Sequence, residues 1–173
     1  ICSLCGEKEY ANCVYDQAGH RCVCGRLDPS LVYVTATPDH FLPPTSRIIH
    51  GKIGLRQDAM CFDLTQGCSG FEEGLIQAFM LLDQPDIKKV VVATGDTLSR
   101  KVSPRDRNSY PLIGDAASIA VVENDPAGEP VYAVMRNDGT RAMALTIPAG
   151  GFRKPCSPET AEMHEDAEGN FRS

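Results

Sequence analysis

The chain has 173 residues, 42% of them hydrophobic, with a formal net charge of -6 and a pI of about 5.2. Such a composition suits a globular domain with a sizeable core and excludes general disorder. It leaves no basic stripe for nucleic acid and no run of the roughly eighteen apolar residues that a membrane span needs.

Residues 1–26, ICSLCGEKEYANCVYDQAGHRCVCGR, stand apart from the rest and hold five of the eight cysteines: Cys2, Cys5, Cys13, Cys22 and Cys24. Cys2-x2-Cys5 followed by His20-x-Cys22-x-Cys24 offers the ligand types of tetrahedral zinc. The second cluster lacks the usual knuckle spacing, so an irregular segment with incidental cysteines is the preferred reading, with no metal site and no cofactor. The chain begins at Ile1 with no secretory apolar segment, and the expectation is a cytoplasmic protein with free thiols.

Ordered structure is expected from residue 27. Leu31–Val34 is a β-branched and aromatic run that reads as a buried strand. Pro38, Pro43 and Pro44 force a loop. Thr45 or Ser46 can cap a helix reaching Gly51, with Gly54 ending it. Ala59–Leu64 reads as a second strand. Phe71, Leu75, Ala78, Phe79 and Leu82 follow at about the 3.6-residue period of an amphipathic helix, closed by Pro85. Val90–Ala93 and Ala116–Val122 read as further strands, and PVYAVMRND, residues 130–138, as a fifth. The polar end, EMHEDAEGNFRS, suggests no element. Strands alternating with helices point to a layered α/β fold.

The stretch Gly67-Cys68-Ser69-Gly70 joins the second strand to its helix. A helix N-terminus presents unpaired N–H groups and the positive end of the dipole. A cysteine there is favoured as thiolate and so as a nucleophile. Flanking glycines permit a sharp turn and let a substrate carbonyl approach, and the cysteine's own N–H can donate to an oxyanion. The plainer account is a small hydrophobe buried at a tight turn, and spacing alone leaves both open.

DLTQGCSGFEEGLIQA, VVVATGDTLSR, SPRDRNSYPLIGDAASIAVV and the earlier VTATPDHFLPPTS together resemble 3-oxoacyl-[acyl-carrier-protein] synthase III, the initiating condensing enzyme of the thiolase-like superfamily. The resemblance is firm over about residues 27–124 and looser through 125–173. It implies a thiolase-like α/β/α fold, present as one N-terminal repeat. It also implies an acyltransferase of fatty acid or related biosynthesis, with Cys68 taking an acyl group from acyl-CoA and the thioester condensing with malonyl-acyl carrier protein. By the same resemblance Arg107 lies beside the adenine of CoA, and the Leu42-Pro43 pair reaches the partner's acyl pocket. Gly67 and Gly70 keep the substrate's approach to the thiol open, and Asp115 is structural. The family's histidine and asparagine belong to a C-terminal half that this sequence is not expected to contain, and His20, His40, His50 and His164 stand in no matching motif. A homodimer, or pairing with a C-terminal half, is therefore expected. A non-catalytic partner subunit and an acyltransferase using only the thioester step are the competing readings.

Overall fold

The computed structural model describes residues 30–85 and 87–172; the cysteine-rich residues 1–26, and with them the zinc alternative, lie outside the described residues. β1 (Ser30–Val34) is central in a four-stranded sheet of order β2-β1-β3-β4. β2 (Met60–Leu64) lies parallel on one side, from Ser30 opposite Met60 to Val34 opposite Leu64. β3 (Lys89–Thr97) lies parallel on the other, with Leu31 opposite Val91. β4 (Asp115–Glu123) runs antiparallel to β3 along its whole length.

Successive side chains of a strand point to opposite faces, so β1 feeds two cores. Val32 and Val34 join Val90, Val92, Ala78 and Leu82 beneath α2 (Gly70–Leu82). Leu31 joins Cys61 and Ala93, with half-buried Tyr33 and Ile49, beneath α1 (Thr45–Ile53). The sheet is therefore sandwiched between helices, and its central strands read as unbroken apolar runs because neither face meets water. This is the layered α/β/α arrangement expected from the sequence.

Three local expectations are corrected. Neither Thr45 nor Ser46 caps α1: the carboxylate of Asp63, on β2, accepts the N–H of Thr45 at 2.7 Å and of Ser46 at 2.8 Å. Gly54 does end α1 as expected, in the left-handed region at φ 67°. On α2 the buried line is Gly70, Gly74, Ala78 and Leu82, four residues apart, while Phe71 remains 39% exposed. Small residues on that ridge let the helix sit close to the sheet; a Cβ on Gly74 would lie 3.0 Å from Val92 Cγ1 and 3.1 Å from Val34 Cγ2. The expected strand at 130–138 does not form. Its apolar side chains Val131, Tyr132 and Val134 are exposed, and no described strand offers it a ladder.

The described residues up to Thr97, with Asp115–Glu129, make one compact unit; Leu98–Gly114 and the residues from Pro130 onward make another. Within the second unit, the polar end of the chain, where no element was expected, instead forms a short hairpin of β5 (His164–Glu165) and β6 (Phe171–Arg172). Gly169, at φ 79°, takes the left-handed position of its turn, which a residue with a Cβ disfavours.

Candidate active site

β2 ends at Leu64 and α2 begins at Gly70, so residues 65–69 cross the carboxyl edge of the sheet. That edge is where ligands bind in open α/β sheets. Cys68 is exposed there, two residues before the first residue of the helix. The bend is held by its own backbone: the Gln66 N–H donates to Leu64 O at 3.0 Å and the Gly70 N–H to Gly67 O at 2.9 Å. Ser69 occupies the cap position, but its hydroxyl donates to Glu73 Oε1 at 2.9 Å instead of accepting from the helix backbone.

The two flanking glycines differ in their reason. A Cβ on Gly70 would come within 2.5 Å of Val34 Cγ1 and 3.1 Å of Gln66 Cβ, so close helix–strand approach requires glycine. A Cβ on Gly67 would meet nothing within 4 Å, and neither residue has a positive φ. The sharp-turn argument for glycine thus holds at neither position. At Gly67 the missing side chain leaves open space beside the thiol.

The other described cysteines are also free. Cys61 is buried beneath α1, its Sγ 3.7 Å from Ala59 O; burial pushes its thiol above the usual cysteine range, with Arg47 opposing. Cys156 is exposed in the second unit. Burial therefore disqualifies Cys61 as a nucleophile, whereas Cys68 stands accessible at a helix start.

Leu42 lies in the loop between β1 and α1, 83% exposed, with a cis peptide bond to Pro43. The same loop leaves the carboxyl edge of the sheet beside β2: the Thr35 N–H donates to Leu64 O at 3.1 Å. Asp115 opens β4 opposite Thr97.

Arg107 belongs to the second unit and is tied down there. Its guanidinium donates to Glu168 O at 2.6 Å, and its N–H to Asn170 Oδ1 at 3.2 Å. Asn170 is buried at 1% exposure and bonds both carboxylate oxygens of Asp166. Arg105 stacks on the Phe171 ring, 3.5 Å from its centroid, a cation–π contact. Buried Asp106 accepts the N–H groups of Asn108 and Ser109. The sequence reading missed Asp106 and Asn170. The Asp-x-x-Gly-Asn run at 166–170 was the available turn signal. Of the histidines, His50 bonds Arg56 O at 2.8 Å, and among the described residues no hydrogen bond joins a histidine to Cys68.

Residues 62–139, which include Cys68 and Arg107, match the family described as 3-oxoacyl-[acyl-carrier-protein (ACP)] synthase III. A β-ketoacyl-[acyl-carrier-protein] synthase III of Caldanaerobacter subterraneus subsp. tengcongensis is 37% identical over 135 residues, covering 78% of this chain and 40% of that protein. One of Syntrophomonas wolfei is 36% identical over 134 residues, covering 77% of this chain and 40% of that protein. A crystal structure of a 3-oxoacyl-(acyl-carrier-protein) synthase III superposes with a TM-score of 0.79 at 34% identity, over 84% of this chain and 44% of that one. The chain thus spans about two fifths of the length of the curated relatives it matches. Over the span it shares with them, by sequence and by fold, this chain is similar to the 3-oxoacyl-[acyl-carrier-protein] synthase III family.

Proposed function

We propose that this chain carries the acyl-accepting half of an acyl-CoA-dependent condensing enzyme. The observation that carries the reading is Cys68, exposed at the start of α2 inside the matched residues. The Cys68 sulfur attacks the thioester carbon of acyl-CoA, and the carbonyl electrons move to oxygen. The Cys68 N–H donates to that oxyanion. Collapse breaks the bond to CoA, whose thiolate leaves and takes a proton, and the acyl group stays as a thioester on Cys68. Malonyl-acyl carrier protein then loses CO2, its carbanion attacks that thioester carbon, and the Cys68 thiolate is released with the 3-oxoacyl product formed. Arg107 meets the adenine end of CoA. Leu42 reaches an acyl pocket across a two-fold axis, in a homodimer or in pairing with a half that bears the family's histidine and asparagine. The chemistry calls for acyl-CoA as substrate and for no separate cofactor.

The decarboxylating step leans on that histidine and asparagine, and each such electrostatic donor is worth roughly 3 kcal/mol, or about a hundredfold in rate. The 173-residue chain alone should therefore be acylated but should not sustain condensation. Incubation with acetyl-CoA followed by peptide mass spectrometry is expected to place the acetyl group on Cys68, and Cys68→Ala to abolish it. Equal labelling of Cys156 would overturn the reading. So, for the condensation part, would sustained 3-oxoacyl product from malonyl-acyl carrier protein.

A further inference from the structure

β3 outruns β1. Their last paired residues are Val34 and Thr94, and β3 continues to Thr97. Asp96 therefore overhangs the point where the chain leaves β1, and it gathers that chain onto one oxygen. Asp96 Oδ1 accepts the Thr35 hydroxyl at 2.9 Å, the Ala36 N–H at 2.8 Å, the Thr37 N–H at 3.1 Å and the Thr37 hydroxyl at 3.0 Å. Thr37 Oγ1 in turn accepts the Thr97 N–H at 2.9 Å. Four hydrogen bonds converging on one carboxyl oxygen leave three consecutive residues little freedom.

Those residues stand between two parts of the site. On one side, Thr35 is bonded to Leu64, four residues before Cys68, and Val34 is the contact that forces glycine at position 70. On the other, the same segment continues into the exposed Phe41 and Leu42. We propose that Asp96 is a positioning residue, which fixes the root of the Leu42 loop against the end of β2 and so holds the acyl-chain contact in register with the Cys68 thiol. The proposal rests on the acyl-accepting role of Cys68. It adds a specificity element remote from the thiol.

Asp96→Ala and Asp96→Asn are compared with the wild-type chain in three measurements. These are labelling of Cys68 by acetyl-CoA and by octanoyl-CoA across concentration, alkylation of Cys68 by iodoacetamide, and amide exchange over residues 35–44. Asp96→Ala is expected to raise the half-saturating octanoyl-CoA concentration on the order of tenfold, and that of acetyl-CoA less. The saturating rate and iodoacetamide alkylation should stay the same, a split that general disruption would not produce. Exchange at Ala36 and Thr37 should accelerate, and Asp96→Asn, which keeps the acceptor oxygen, should restore most of each effect. Unchanged half-saturation, an equal fall in alkylation by iodoacetamide, or unchanged exchange would each overturn the proposal. If the wild-type chain accepts no acyl group from either thioester, the functional reading fails separately. The positioning claim then stands only if faster exchange in Asp96→Ala runs through 35–44 and spares α2.

Discussion

Gly67 and Gly70 flank the same thiol, and space separates their roles. An alanine methyl at 70 would collide with Val34 Cγ1, itself packed in the core beneath α2. Relief requires moving a buried valine or the helix, and overpacking of this kind costs about 1–3 kcal/mol. At 67 the methyl finds open space on a backbone that alanine adopts freely, where reduced freedom of the unfolded chain can stabilise by about 0.5 kcal/mol. Urea denaturation should therefore show Gly70→Ala clearly destabilised and Gly67→Ala equal to or slightly above wild type. The reverse order would mean that the helix does not approach the sheet as closely as described.

Among the elements, α1 shows how a helix can begin without its own cap. It has no acidic residue in its first turn and a proline at the cap position. Two of its orphan N–H groups go instead to Asp63, from a strand beneath it. Loss of a side-chain cap costs about 1–2 kcal/mol, so Asp63→Ala should lower stability by that amount and speed amide exchange at Thr45 and Ser46 ahead of the rest of α1. Exchange rising uniformly along the helix would argue that Asp63 acts on packing instead. α2 makes a complementary point. Its first turn holds Glu72 and Glu73, which the positive end of the helix dipole favours, while its glycine ridge supplies the approach to β1 and β3 that carries Cys68 to the edge of the sheet.

For the whole molecule, exposed apolar surface is the dominant feature. In the second unit Val131, Tyr132, Val134, Leu145 and Phe152 are each at least 70% exposed. In the first, Ile119 and Val121 of β4 are also exposed. Exposed apolar side chains in such number in each unit favour association. Light scattering at micromolar concentration should report dimers or larger species, and a strictly monomeric chain would contradict this.

The elements that sequence alone determined are those whose signal is local. The central strands, buried on both faces, read as unbroken apolar runs, Gly54 ended α1 where a left-handed residue was needed, and the glycine-flanked Cys68 marked the strand–helix junction. What the tertiary structure decided depends on partners far along the chain. The Asp63 cap spans 17 or 18 residues, the Asp96 cluster 59 to 61, and the bonds holding Arg107 61 or 63. No periodicity records such pairings, because each depends on where the sheet brings two distant segments together. The same limit explains residues 130–138, which have the composition of a strand but find no ladder among the described residues. It explains α2 as well, where hydrophobicity pointed to Phe71 and close packing selected Gly70 and Gly74, since the depth of a helix on a sheet is set by the smallest side chains between them.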